Sequence, residues 1–379
     1  MKGIDIYTNK AIEITVDSNI IVDKKEIPYE EGLPYISPGF FDIQVNGYKG
    51  IDYSGPDLCC DKILSLITYL AESGTTQHVP TIITSSHENI CRNLRIISSC
   101  VKRYEIVRRA IPAIHVEGPY ISEVDGPRGA HDATFVKDPS IKELHDWVES
   151  SDNLLKLITL APERKGAMEY IKEAVSLGIV ISIGHTQATT EVINSAISLG
   201  ATCSTHLGNG ANAMLPKLNN YIFDQLSSEV LYSGIIADGY HIPPSALKVL
   251  YKVKGRDKTI LVSDVAFVGG AKRGVYKWGG IEIEVFDDGH IGLPGTPYLA
   301  GAGHLLDTGI AHIKYVTKAP LSDLIRSVTS NPLNLLALKE NKNLDIGACS
   351  DITSFYLLEE GKPLDIISTI IGGKIIYTK

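Results

Sequence analysis

The chain runs to 379 residues, 44% of them hydrophobic, with a formal net charge of -8 and a pI near 5.8. That is ample apolar material for a large core, and an acidic balance without a basic cluster argues against a nucleic-acid partner. No run reaches the about 18 apolar residues that a membrane span needs, and the N-terminus MKGIDIYTNK has no signal-peptide core. Six cysteines (Cys59, Cys60, Cys91, Cys100, Cys203 and Cys349) show no CxxC spacing, so the chain reads as a soluble, cytoplasmic protein with reduced thiols.

In chain order, residues 1–37 carry alternating runs, AIEITV and SNIIVD, without helical period. From residue 38 short apolar runs alternate with amphipathic ones. The strand candidates are Gly39–Asn46, Thr76–Ile82, Ile111–Glu117, Leu154–Leu160, Ile179–His185, Ala201–His206, Ser233–Asp238 and Thr259–Asp264. Between them lie helix candidates Lys62–Ser73, Ile90–Arg109, Met168–Leu177, Glu191–Leu199 and Pro244–Val253, several stopped by a glycine (Gly74, Gly178, Gly200, Gly255). The densest positive stretch, VKRYEIVRR at 101–109, reads as the solvated face of a helix.

Eight strands with intervening helices predict a parallel sheet closed into a (β/α)8 TIM barrel over 38–339. An open doubly wound sheet would need a glycine-rich phosphate turn after its first strand, and QVNGYKG lacks that spacing. Residues 274–293 predict an inserted hairpin turning at Asp287-Asp288-Gly289. DITSFYLL and STIIGGKIIYT near the C-terminus again alternate, so 1–37 and 340–379 are expected to join as antiparallel strands in a small β-sandwich domain.

Barrel enzymes collect their chemistry at the C-terminal ends of the strands. Standing there are Gln44 and Asn46, Glu117, His185, His206, Asp238 with His241 shortly after, and Asp264. Two imidazoles and a carboxylate from different strands suit one divalent metal such as zinc with an open position for water. Asp264 is placed to accept and relay a proton. A lone histidine at a strand end is more often a satisfied polar residue, so the coincidence of Glu117, His185, His206 and Asp264 carries the reading. His78 and His115 lie inside strands and are expected to be structural, although His115 shares a face with Glu117.

PGFFDIQVNG, HVEGPYIS, GPRGAHD, TLAPE, ISIGHTQAT, ATCSTHL, IADGYH, LVSDV, LAGAG, SNPLNLL and GACSDIT follow one another in an order that resembles the N-acetylglucosamine-6-phosphate deacetylases of the amidohydrolase superfamily. The resemblance implies hydrolysis of an N-acetylated amino sugar to acetate and free amine, with Glu117, His185 and His206 holding the metal. It implies Asp264 as proton carrier and His131, in GAHD, as the group that polarises the amide carbonyl. Substrate contacts implied in the same way are His241, Ala130, Asn209, Gly210, Asn212, Ala213, Leu299, Ala300 and Gly301. Most amidohydrolases end their first strand in His-x-His around a second metal. Gln44 and Asn46 are similar to the variant with amides there, which implies a vacated second-metal site filled by hydrogen bonds. The family is commonly dimeric, so a homodimer is expected.

The family reads His-Leu-Phe-Asn-Ala-Met after its second metal histidine, where this chain has HLGNGANAM, so either Asn209 or Asn212 holds the family position. The family's phosphate-binding arginine has no counterpart, because no arginine occurs between Arg164 and Arg256. Lys217, Arg128 and Arg273 are candidate replacements; the alternative is an unphosphorylated N-acetyl sugar or related N-acylated amine. A dihydroorotase-like hydrolase is disfavoured by Gln44 and Asn46, and a catalytically silent barrel by the complete set of metal and acid–base residues.

Overall fold

The computed structural model describes residues 1–296 and 298–379. Eight parallel strands stand side by side in chain order: β1 Phe40–Val45, β2 Thr75–Ile83, β3 Ile114–Glu117, β4 Leu155–Leu160, β5 Val180–Ile183, β6 Cys203–Ser204, β7 Tyr232–Ile235 and β8 Thr259–Leu261. β1 is buried along its whole length. A parallel strand covered on both faces reads as a continuous apolar run, and PGFFDI does.

The barrel is nearly closed. Between β8 and β1 there is no regular ladder, and three kinds of contact stitch the seam instead. At its upper end Asp264 N–H donates to Gln44 O (3.0 Å) and Asn46 N–H to Val265 O (3.0 Å). In the middle the buried Asp42 carboxylate accepts from Ser263 N–H at 3.2 and 3.3 Å. At the lower end Leu261 N–H and Phe41 N–H donate to Ser327 O (3.1 Å) and Val328 O (2.7 Å). The buried backbone groups of the seam thus find partners.

The outer helices form where the apolar spacing predicts them. Helix Cys60–Ala71 buries Ile63, Leu66, Ile67, Leu70 and Ala71, a stripe at helical period. Each such side chain contributes roughly 1.5–3 kcal/mol on burial. Gly74, Gly178 and Gly200 close their helices at φ 83°, 72° and 107°, where a Cβ would be strained. The expected continuous helix Ile90–Arg109 is instead two, His87–Arg103 and Glu105–Ala110. Tyr104 leaves the helical region (φ -118°, ψ 123°) and packs on the core, turning Val107 and Ala110 inward. Ile141–Ser150, Tyr221–Ser227, Leu306–Thr317, Leu321–Arg326 and Ser330–Leu335 are further helices that the candidates did not include.

Both chain ends join one seven-stranded sheet, with Lys374–Thr378, Asp365–Ile371, Ile352–Tyr356, Tyr35–Pro38, Lys2–Asp5, Ala11–Asp17 and Ile20–Glu26 in spatial order. Antiparallel strands in a small β-sandwich were the expectation; the strands lie in one sheet, and Lys2–Asp5 and Tyr35–Pro38 pair parallel, Ile4 opposite Tyr35. The far edge curls back, since Ile21 N–H donates to Ala348 O (2.9 Å) and Ser350 N–H to Asn19 O (3.0 Å). This sheet docks on the barrel through Thr353 and Thr369, whose hydroxyls donate to Gly74 O and Ala71 O at 2.7 Å each.

The inserted hairpin has three strands, Gly274–Trp278, Ile281–Val285 and Ile291–Gly292. Its second turn holds Asp287-Asp288-Gly289 as expected, and Gly279-Gly280 makes an additional one. Cys60 and Cys100 form a disulfide (Cα–Cα 5.6 Å) where reduced thiols were expected. Packing of helix Cys60–Ala71 against His87–Arg103 brings together two cysteines that no local spacing relates. No described helix is long and apolar enough to cross a membrane.

Candidate active site

The strands stop short of the residues that matter. β5 ends at Ile183, β6 at Ser204 and β8 at Leu261, so His185, His206 and Asp264 stand beyond them rather than on them. All three take left-handed backbone conformations, φ 51°, 27° and 51°. Each such non-glycine residue costs about 1–3 kcal/mol and is held only by its surroundings. The turn re-aims the side chain toward the barrel axis, which a continuing strand would not do.

The result is a tight buried cluster. Glu117 Oε1 lies 3.2 Å from His185 Nε2 and 3.1 Å from His206 Nε2, and the two imidazole nitrogens are 3.0 Å apart. Among the described residues these three form the group of metal-type ligands that could hold one ion. His185 Nδ1–H donates to Pro127 O (2.9 Å), which leaves the Nε2 lone pair facing the cluster. His185 is also clamped by backbone: a Cβ on Gly210 (φ 57°) would lie 2.8 Å from Nδ1, and one on Gly129 (φ 61°) 3.3 Å from Cε1. Burial pushes the Glu117 carboxyl up, but the two imidazoles outweigh it and hold Glu117 well below the usual range. His206 is raised, since Glu117 outweighs the lowering effect of burial.

The amides of β1 meet both carboxylates. Gln44 Nε2 donates to Glu117 Oε1 and Oε2 at 3.1 Å each. Asn46 Nδ2 donates to Asp264 Oδ1 at 2.8 Å. Burial, helped by the Glu117 charge, pushes the Asp264 carboxyl up to about 6.

His131 is buried with its ring centroid 4.4 Å from that of His185. Its Nδ1 pairs with Thr84 Oγ1 at 2.7 Å. Burial lowers the imidazole to about 3, so it is neutral near pH 7; the tautomer in which Thr84 O–H donates to Nδ1 carries the ring proton on Nε2. Thr84 was not among the sequence candidates, although it directly follows β2 and could have been found as a strand-end residue. His115, buried two residues before Glu117, pairs with Thr81 (3.2 Å) and Thr159 (2.8 Å). His78 pairs with the Tyr53 hydroxyl at 2.6 Å.

His241 stands in the loop after β7. Its Nδ1–H donates to Asp238 Oδ2 (2.8 Å), while Asp238 Oδ1 accepts Tyr240 N–H and His241 N–H at 2.9 and 3.0 Å. Burial raises the Asp238 carboxyl, and His241 outweighs it to leave Asp238 below its usual value.

The remaining substrate candidates are spread over three loops. Asn209 folds back on His206 O (3.3 Å), and Asn212 is engaged with the Tyr221 hydroxyl through both N–H and Oδ1 at 2.8 Å. Ala213 is exposed, and the neighbouring Met214 and Leu218 are 89% and 73% exposed. Ala130 packs on the inserted sheet. Leu299 and Ala300 lead to Gly301, whose α-carbon approaches so closely that a Cβ would stand 3.2 Å from Asp264 O. Arg128 pairs with Asp125 and donates to Glu123 O (2.8 Å), Arg273 pairs with Asp287 (2.7 Å), and Lys217 is exposed.

No protein-family model matches the chain. Two curated relatives called N-acetylglucosamine-6-phosphate deacetylase are similar over nearly the full length. The Caenorhabditis elegans protein is 31% identical over 97% of this chain and 91% of its own. The Bacillus subtilis protein is 27% identical over 95% and 90%. Among solved structures, a Mycobacterium smegmatis N-acetyl-D-glucosamine-6-phosphate deacetylase in complex with N-acetyl-D-glucosamine-6-phosphate superposes with a TM-score of 0.85 at 24% identity, covering 97% of this chain and 95% of that one. With a 31% identical relative matched along almost all of both chains, the protein belongs to the N-acetylglucosamine-6-phosphate deacetylase family.

Proposed function

We propose that this chain hydrolyses the N-acetyl group of an N-acetylhexosamine 6-phosphate, N-acetylglucosamine 6-phosphate foremost, releasing acetate and the free amine. The observation that carries the reading is the convergence of Glu117 Oε1, His185 Nε2 and His206 Nε2 within 3.2 Å of one another. Two nitrogen lone pairs and a carboxylate oxygen facing one point make a poor hydrogen-bonded core and a good nest for one divalent ion, zinc in this reading. When bound there, such an ion supplies a lowered pKa for water and polarises a carbonyl oxygen.

The chain's own groups do the rest. Asp264 accepts the proton of the attacking water and returns it to the departing amine nitrogen, so the C–N bond breaks without releasing an amide anion. A carboxyl pushed up to about 6 suits both halves of that shuttle. His131 donates from Nε2–H to the carbonyl oxygen as negative charge develops there, a contribution of about 3–4 kcal/mol in comparable oxyanion sites. His241, oriented by Asp238, offers Nε2 to the sugar or its phosphate, and Asn209, Gly210, Asn212, Ala213, Ala130 and Leu299–Gly301 belong to this reading as further substrate contacts.

One ion belongs to this reading, because the Gln44 amide points its N–H donors at both Glu117 oxygens and neutral amides are weak zinc ligands. A homodimer belongs to it as well: Met214 and Leu218, 89% and 73% exposed, form an apolar pair that a second subunit would cover. A cytoplasmic location follows from a phosphorylated substrate, whose charge keeps it from crossing a bilayer.

The same hydrolysis on an unphosphorylated sugar is favoured by one observation: Arg128 and Arg273 are already paired with Asp125 and Asp287. Acetate release is to be measured from N-acetylglucosamine 6-phosphate, N-acetylgalactosamine 6-phosphate and both free sugars, with metal content on the same sample. A preference for the phosphorylated compounds supports the main reading; equal or better turnover of the free sugars replaces it.

A further inference from the structure

Away from the metal cluster, four rings form a continuous stack. Phe286 and His290 of the inserted sheet lie 4.2 Å apart at 5°, His290 and Tyr240 5.1 Å apart at 21°, and Tyr240 and His304 5.4 Å apart at 10°. Asp288 Oδ1 fixes the outer imidazole, 2.5 Å from His290 Nδ1. Tyr240 is the chain neighbour of His241, and both their N–H groups donate to Asp238. On the other side of that loop Gly239 (φ 92°) packs against His312, whose ring a Cβ would meet at 3.3 Å. The loop therefore meets helix Leu306–Thr317 at Gly239, is anchored in the core beyond His241 by the buried Ile242, and meets the inserted sheet through a sandwiched ring. At its other end the insert also reaches the His131 loop, where a Cβ on Gly280 would stand 2.7 Å from Asp132 Oδ2.

We propose that the inserted sheet sets the position of His241 through this stack, with Tyr240 and His290 as positioning residues for the substrate end of the site. Asp238 fixes the orientation of the His241 ring within its own turn, and Ala237 and Ile242 root the two ends of the turn in the core; the tip between them, Gly239 to His241, meets the insert through the Tyr240 ring. Tyr240 is 41% exposed, and a ring that open is immobilised by its stacking partners rather than by enclosure. The inference rests on the reading that His241 meets the sugar or its phosphate, a part of the substrate remote from the bond that breaks. A contact kept equally in ground and transition states acts on KM, not on kcat.

The test uses His290→Ala and Tyr240→Leu, with the ring-preserving His290→Phe and Tyr240→Phe beside them. For His290→Ala an increase in KM of about two- to tenfold is expected, from the worth of one aromatic pair, with kcat nearly unchanged. Tyr240→Leu, which loses both neighbours, is expected to show a larger increase, and both phenylalanine variants to behave as the parent. In a His241→Ala background His290→Ala is expected to add nothing. Because the His290 side chain is 25% exposed at the tip of the insert, its alanine variant leaves the barrel core intact should Tyr240→Leu fail to fold.

A readout that needs no turnover is the nitrogen-labelled imidazole resonance of His241, hydrogen-bonded to Asp238. It is expected to shift or broaden in His290→Ala while that of His131 stays. An unmoved His241 resonance with unchanged KM, or an equal KM increase in the His241→Ala background, overturns the proposal. If the parent protein itself turns over none of the sugars, the deacetylase reading fails, and the resonance alone decides the positioning role.

Discussion

The inner and outer halves of the site are built to different tolerances. Around the metal cluster four functional groups are held from behind: His185 by Pro127 O and two glycine backbones, Glu117 by Gln44, Asp264 by Asn46, His131 by Thr84; His206 is the exception, its buried Nδ1 having no partner among the described residues. Farther out, Arg273 and Lys217 are exposed and Arg128 is half-buried; Arg128 and Arg273 pair with the exposed carboxylates of Asp125 and Asp287, and Arg128 also donates to Glu123 O. Exposed pairs of that kind are worth roughly 0–1 kcal/mol, whereas a buried group that loses its partner costs about 1–3 kcal/mol or more. The groups around the cluster are fixed by burial, whereas the outer cations are free to rearrange.

That contrast can be broken most severely at Asp264. Asp264→Asn is expected to lower kcat by about 10²–10⁴-fold, the usual range for a lost acid–base group, while metal content stays near the parent value. Retained turnover would move the proton shuttle to another residue. Next comes Gly210→Ala. A Cβ in a left-handed position, 2.8 Å from His185 Nδ1, displaces the ring that faces the metal. A loss of metal affinity of about 10–100-fold is expected, as for disturbed supports of metal ligands, together with about 1–3 kcal/mol of stability; metal titration and thermal melts check both.

Asn46→Ala is subtler. The 2.8 Å hydrogen bond from Asn46 favours the ionised form of Asp264, so its loss raises the Asp264 pKa further. The shuttle needs the carboxylate, and activity falls as pH drops through that pKa. The acid limb of the kcat profile is therefore expected to move to higher pH in the variant. A bound divalent cation pulls the limb the opposite way, below about 6. A limb that stays put in Asn46→Ala separates the β1 amide from the proton shuttle.

The smallest effects belong to the rim. Lys217→Ala and Arg128→Ala are each expected to change KM for a phosphorylated sugar by less than about tenfold with kcat unchanged, in keeping with flexible, solvent-screened charges. A larger loss at Lys217 would show that this exposed lysine is buried against substrate or a second subunit in the working enzyme, and would narrow the difference between the two halves.

Much of the inner half was legible in the sequence. Strand and helix periods gave the barrel, and ligand-type side chains at successive strand ends gave Glu117, His185, His206 and Asp264. These are local signals: a buried parallel strand has to be apolar, and the polar residues that end its apolar run stand at the mouth. Helix breaks and the shorter helices were less legible, because Tyr104 ends one helix by packing on the core and not by any turn residue. The expected reduced thiols failed for the same reason, as Cys60 and Cys100 meet only once two helices pack.

Sequence alone determined the set of chemically competent residues and their order around the barrel, since each stands at or just past the end of an apolar run and the runs follow one another in chain order. Tertiary structure decided how those residues are held. The left-handed turns at His185, His206 and Asp264, the pairing of Gln44 with Glu117 and of Asn46 with Asp264, and the ring stack from the insert to Tyr240 join segments tens to hundreds of residues apart. Such contacts exist only after the barrel closes, because hydrogen bonds and ring stacking act over a few ångströms and leave no periodic trace along the chain.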